Sequence, residues 1–120
     1  RVFVNLITNA IQAVEIQQKE SAGNDGETAA GHVLICLRNS TRDGYYDIVF
    51  DDSGPGVKEE NLGKLFTPNF TTKTSGTGLG LAICHNIIEK CEGEIRYQKS
   101  FALGGASFVV TIPKHSGQIG

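Results

Sequence analysis

A strand that runs straight into a glycine turn sits in the middle of this sequence: YYDIVFDDSGPG, residues 45–56. Side chains alternate across a sheet, so Tyr46, Ile48, Phe50 and Asp52 share one face. If Ile48 and Phe50 point into a core, Asp52 points there too. A buried carboxylate requires hydrogen-bond donors. Two sources are open: a bound base with an exocyclic amino group, or the amides of a turn that Asp52 itself caps. Gly54 and Gly56 follow at once and let the backbone come close to a flat ligand. Pro55 stiffens the turn.

The flanking segments define the fold class. Residues 1–16 carry Phe3, Leu6, Ile7, Ala10, Ile11 and Val14 at helical spacing, the pattern of an amphipathic helix. Residues 17–31 are polar and low in complexity, and their central part reads as a loop. HVLICLRN at 32–39 is a strand rich in β-branched residues. Asp43-Gly44 marks the turn of an antiparallel hairpin between it and residues 45–52. A short helix is expected at 59–65 and a stronger one at 78–92, with Gly93 as its C-terminal cap. EIRYQ and SFVVTI form a last pair of strands, and Pro113 ends the second. Helices beside antiparallel hairpins give an α+β, two-layer sandwich with a mostly antiparallel sheet and the helices on one face. The other face is either solvated or covered by a partner. The expected organisation is one domain over residues 1–113 and a flexible tail over 114–120.

Composition narrows the function. With a net charge of -2 and no clustered Lys or Arg, nothing provides an electrostatic footprint for nucleic acid. Apolar runs such as VLICL are too short to span a bilayer, so no direct membrane contact is expected. No charged-then-apolar leader opens the chain, and a cytoplasmic location is expected. Cys36, Cys84 and Cys91 each lie in an apolar stretch and read as buried small hydrophobes in a reducing compartment.

Three further clusters carry chemistry. Gly76, Thr77, Gly78, Leu79, Gly80 and Leu81 open the second helix. Free N–H groups and the positive end of the helix dipole suit phosphate there; an ordinary flexible loop and helix cap is the other reading. The preceding segment is not a strand and no Gly-Lys-Ser/Thr follows, so neither a dinucleotide fingerprint nor a Walker A loop is present. Asn5 and Asn9 lie one helical turn apart. Their amide oxygens are hard ligands suited to Mg²⁺, or they are two exposed polar residues. LFTPNFTTK, residues 65–73, places hydroxyls and Lys73 between Phe66, Phe70 and the glycine cluster; it is either a flap over a polyphosphate or a plain loop.

Taken in order, NLITNA, DDSGPG, LFTPNFTTK and GTGLGL resemble the N box, first glycine box, F box and second glycine box of the histidine kinase ATP-binding domain. That domain belongs to the wider GHKL family, shared with type II topoisomerase ATPases, Hsp-ninety chaperones and MutL proteins. The resemblance runs from Arg1 to about Pro113, and GGASFVVTIP resembles the closing strand. The short lid with FTTK is most similar to sensor kinases of the nitrogen-regulation type. The resemblance implies ATP and Mg²⁺ as cofactors. It implies that Asn9 binds the metal, that Asp52 accepts from the adenine amino group, and that Gly54, Gly56, Val57 and Ala13 form the adenine pocket. Gly76, Thr77, Gly78, Leu79, Gly80 and Leu81 would line the triphosphate, and Phe66 of the F box belongs to the same binding set. Asn5 and Lys73 are the positions implied for the transfer step. Where ATP-hydrolysing relatives carry a Glu, this chain has Asn5, and an amide cannot take a proton at neutral pH. Transfer to a protein acceptor is favoured over hydrolysis.

Three departures accompany the match. Gln12 stands where many sensor kinases have a basic residue. The strands that usually precede the N box are absent. So is the acceptor histidine, since His32, His85 and His115 all lack its helical His-acidic setting. The resemblance places that histidine in an upstream dimerisation domain of a homodimeric parent, which passes phosphate to a response regulator. The alternatives are a non-catalytic ATP-binding regulatory module and a GHKL-type ATPase. A transfer assay separates the first, and steady ATP turnover by the chain alone would point to the second.

Overall fold

Helix α1 spans Val2–Asp25, strand β1 Val33–Asn39, strand β2 Tyr45–Asp52, helix α2 Gly80–Lys90, strand β3 Glu94–Lys99 and strand β4 Ala106–Pro113. A 3₁₀ turn at Glu59–Lys64 lies between β2 and α2. These elements come from a computed structural model that describes residues 2–25, 30–67 and 80–114. The strands pair antiparallel throughout, in the order β1-β2-β4-β3. The two hairpins therefore join through their second strands, and β4 lies beside β2.

One face of this sheet meets the helices. Phe50 of β2 pairs with Phe108 of β4, and Ile48 with Val110. Phe50, Phe108 and Val110 pack with Ile95, Leu6, Cys84, Ile88 and Leu65 in one buried cluster. Burial of each large side chain there contributes about 1.5–3 kcal/mol relative to exposure. The expected α+β sandwich, with helices on one face of an antiparallel sheet, is the fold found.

Local details differ from expectation in ways that physical chemistry explains. The core stripe of α1 is Val2, Leu6, Ala10 and Val14, strictly four residues apart, while Phe3 and Ile11 are exposed. Phe3 nonetheless contacts the Phe50 ring at 5.7 Å between centroids. The helix also persists through Asp25, well beyond residue 16. Gln17, Gln18, Lys19 and Glu20 are polar, but straight-chain residues are good helix formers; residues 26–29 lie outside the description. At the end of α2 the left-handed residue is Glu92, at φ 63, and not Gly93. The Glu92 N–H donates to the Glu89 carbonyl at 3.0 Å and the Gly93 N–H to the Ile88 carbonyl at 2.9 Å, the two bonds of a Schellman cap. Gly93 is the next residue on, and a side chain there would strike the Thr111 carbonyl.

Of the cysteines only Cys84 is buried, whereas Cys36 and Cys91 are exposed. Cys36 lies on the edge strand β1, and Cys91 lies just beyond the end of α2. Among the described residues, strand β1 has β2 as its sole neighbour in the sheet, and Leu37 is 68% exposed on the helix-facing side.

The second sheet face carries a polar row with one side chain from each strand. Asp47 of β2 is buried. Its carboxylate accepts from the Thr111 hydroxyl of β4 at 2.7 Å. It also faces the guanidiniums of Arg38 on β1 at 3.6 Å and Arg96 on β3 at 3.7 Å. Burial alone pushes the Asp47 carboxyl up. Hydrogen bonds from Thr111 and Ser40 and the two guanidiniums together outweigh it and hold the group below its ordinary value. The edge strands are thus tied electrostatically across the two central ones. Among the described residues, no helix is long and apolar enough to cross a membrane.

Candidate functional site

The end of β2 turns inward. Asp52 is 3% exposed, as its alternation with Ile48 and Phe50 requires. Its Oδ1 accepts the Gly54 N–H at 2.9 Å and the Ala106 N–H at 3.2 Å. Its backbone carbonyl accepts the Gly105 N–H at 3.1 Å. Asp52 therefore does cap the turn that follows it, and that same carboxylate is anchored to β4. The β3–β4 turn is braced in its own right. The Ser100 N–H donates to the Gly105 carbonyl at 2.8 Å, and the Ser100 hydroxyl accepts the Leu103 N–H at 3.0 Å.

Helix α1 passes directly over this turn. A Cβ on Gly54 would sit 2.7 Å from the Ala13 Cβ and 2.8 Å from its carbonyl carbon. Only glycine allows the turn to lie this close to the helix. Asn5, Asn9 and Ala13 are each half-buried. Spaced four residues apart, they form one line on α1. That line carries two amides along the helix from the point where the turn touches it.

The far side of Asn5 meets α2. Burial pushes the Cys84 thiol up from its ordinary value, and a hydrogen bond with the Asn5 side chain pulls the other way. The thiol also lies 3.8 Å from the Val2 carbonyl oxygen. Gly80 and Leu81 open α2, and Leu81 packs against the core. Phe66 is held between His85 of α2, ring on ring at 5.4 Å, and Phe108 of β4, edge-on at 6.4 Å. His85 in turn faces Glu89 at 3.2 Å. Val57 lies against the same core cluster, and its N–H donates to the Tyr97 hydroxyl at 3.1 Å.

Asp52, Gly54 and Ala13 are thus brought together, with Gly56 and Val57 following in the same segment, and Asn5 and Asn9 continue the line along α1. Phe66 packs apart from them, between His85 of α2 and Phe108 of β4. Phe70, Lys73, Gly76, Thr77, Gly78 and Leu79 lie outside the described residues, as does the expected flap beyond Thr67. Sequence reasoning missed Ala106, Gly105, Tyr97 and Cys84. The first three belong to β3, β4 and the turn between them, and only the pairing of β4 beside β2 brings them here. The one legible signal was the doubled glycine of GGASF, a glycine pair at a strand entry.

Residues 1–116 match the family model of histidine kinase-, DNA gyrase B- and HSP90-like ATPases. This chain belongs to that family. The domain is 37% identical over 113 residues to the sensor histidine kinase ZraS of Escherichia coli O157:H7, covering 94% of this chain and 21% of that protein. It therefore spans about a fifth of the length of that curated relative. Among solved structures, it superposes on the nucleotide-free catalytic domain of histidine kinase ThkA with a TM-score of 0.71 at 35% identity, covering 94% of this chain and 64% of that one. It also matches full-length ShkA in complex with AMPPNP, with a TM-score of 0.68 at 26% identity, over 93% of this chain and 20% of that one. The domain is of the histidine kinase ATPase type found in sensor kinases.

Proposed function

We propose that this domain binds Mg²⁺-ATP across the turn that follows Asp52 and donates the γ-phosphate to a histidine in a dimerisation domain of its parent protein, for onward transfer to a response regulator. The observation that carries the reading is Asp52 itself. It is a buried carboxylate at the mouth of a glycine turn, fixed by Gly54 and Ala106 and next to the asparagine-bearing helix. In this reading the carboxylate accepts from the adenine amino group. Gly54 and Gly56 leave room for the ring, Val57 lies on its face, and Ala13 closes the helix side. Gly76, Thr77, Gly78, Leu79, Gly80 and Leu81 lead into the N-terminus of α2, where amide donors and the helix dipole favour phosphate. Phe66 fixes the start of the segment that carries Lys73.

The residues present fit a magnesium ion. Asn9 offers a hard amide oxygen, half-buried, one turn from the contact between Ala13 and Gly54, and Mg²⁺ commonly takes few protein ligands beside water and phosphate oxygens. Bound there, the metal would neutralise charge on the phosphates. Asn5, hydrogen-bonded to Cys84, orients groups at the phosphate end but offers no general base for water. Lys73 supplies a cation to the terminal phosphates. Catalysis then rests on positioning and electrostatics, as phosphoryl transfer generally does. That favours a protein acceptor over hydrolysis.

Melting curves test nucleotide binding. A ligand that binds only the folded state adds about 2.7 kcal/mol at a hundredfold excess over its Kd. The midpoint should rise by several degrees with Mg²⁺-ATP, less with ATP and a chelator, and little with Mg²⁺-GTP, whose base presents a carbonyl in place of the adenine amino group. No rise at millimolar Mg²⁺-ATP would contradict the reading.

A further inference from the structure

The turn after Asp52 is held at both ends, and the two holds come from different strands. Its near end is tied by Asp52 Oδ1, which accepts the Gly54 N–H at 2.9 Å and is itself fixed to β4 through the Ala106 N–H at 3.2 Å. Its far end is tied by β3. The Tyr97 hydroxyl accepts the Val57 N–H at 3.1 Å, across 40 positions of sequence. Between the two, Gly56 takes a left-handed φ of 76. The Tyr97 Oη lies 3.5 Å from where a Cβ on Gly56 would be, directly against the turn.

The Tyr97 ring has a separate job. It packs edge-on against Phe108, with centroids 5.5 Å apart, within the set of side chains around the core. A phenylalanine would fill that role equally well. The hydroxyl is the part that packing does not require, and it is spent on a loop amide. A half-buried N–H in a segment without strand or helix partners needs an acceptor, and Tyr97 provides it.

We infer that Tyr97 is a positioning residue for base recognition. Its hydroxyl sets where Val57 stands relative to the Asp52 carboxylate, so that one side chain meets the face of the base and the other its edge. The adjacent strands β3 and β4 fix the two sides of the pocket. This role rests on the nucleotide reading given above and deepens it.

Tyr97→Phe removes the hydroxyl and keeps the ring. Isothermal titration of the 120-residue chain with Mg²⁺-ADP and Mg²⁺-ATP should give a Kd raised by about three- to tenfold, because the nucleotide must then order a Val57 that is no longer held in place beforehand. The factor should be the same for both nucleotides, because the defect lies at the base and not at the phosphates. Hydrogen exchange of the Val57 amide should accelerate in the variant, while the Gly54 and Ala106 amides keep wild-type protection. An unchanged Kd would overturn the role. So would a loss seen with ATP alone, unchanged protection of Val57, or a general rise in exchange that includes Gly54 and Ala106. Failure of the wild-type chain to bind either nucleotide would instead bring down the nucleotide reading, and the role of Tyr97 with it.

Discussion

Asp52→Asn should weaken Mg²⁺-ATP binding by on the order of a hundredfold, equivalent to about 2–3 kcal/mol for a charge-assisted hydrogen bond replaced by a mismatch. The expectation follows from the difference between a carboxylate and a carboxamide as acceptors. Two backbone amides, from Gly54 and Ala106, already point at Oδ1. The adenine amino group would bring a further donor to the same carboxylate. A carboxylate is acceptor-only and serves all of them, whereas a carboxamide has one oxygen and one NH₂. With the amide oxygen on Gly54 and Ala106, the NH₂ faces the base and recognition is lost. Turned the other way, the two backbone donors lose their partner, and stability falls by about 1–3 kcal/mol for each buried group left unsatisfied. The first arrangement keeps the bonds from Gly54 and Ala106 and gives up the one to the base, so the variant should fold normally and bind poorly. Titration calorimetry and urea denaturation read the two effects separately. A variant with wild-type affinity and wild-type stability would show that Asp52 does not read the base.

Gly105→Ala should lower both stability and affinity, because Gly105 touches the atoms that hold Asp52 in place. An added Cβ would lie 2.5 Å from the Asp52 carbonyl oxygen, 2.5 Å from its Oδ1 and 2.6 Å from the Gly54 nitrogen. All three atoms are hydrogen-bonded to one another or to β4 and its turn, so none can move alone. Overpacking of this kind costs about 1–3 kcal/mol and occasionally more, and contact with three fixed polar atoms places this site at the upper end. The displaced atom would be the carboxylate oxygen, so affinity for Mg²⁺-ATP should fall along with stability. Gly104→Ala is the internal control. Gly104 has φ 86 and nothing within 4 Å of its added Cβ. Its substitution should cost about 1–2 kcal/mol for a left-handed alanine and leave affinity unchanged. Equal affinity losses in the two variants would show that Gly105 matters only for the turn.

What the sequence disclosed followed its local periodicities. Alternation through Tyr46, Ile48 and Phe50 sufficed to turn Asp52 inward, and the four-residue spacing of Asn5 and Asn9 sufficed to align them on α1. Both are short-range consequences of backbone geometry. The residues that hold Asp52 were hidden because they depend on sheet order. Ala106 lies 54 positions after Asp52, and only the placement of β4 between β2 and β3 brings it near. Tyr97 was hidden for the same reason, its pattern within EIRYQK fitting any exposed edge strand. The length of α1 was misjudged on different grounds. Its polar second half lacks an apolar face, so periodicity was silent, and the helix propensity of Gln, Lys and Glu was the better guide. Cys84 looked like a small core residue and is one, but its contact with Asn5 became visible only once α1 and α2 were packed together.

Phosphate transfer tests the central claim most directly. The chain would be incubated with Mg²⁺ and γ-labelled ATP, first alone and then with a helical dimerisation domain of the sensor histidine kinase type. Transfer to a separate acceptor predicts no label on the chain itself. It predicts label on a histidine of the added domain, labile in acid and stable in base. Label mapped to His32, His85 or His115 of the chain alone, or steady release of inorganic phosphate without any acceptor, would contradict it.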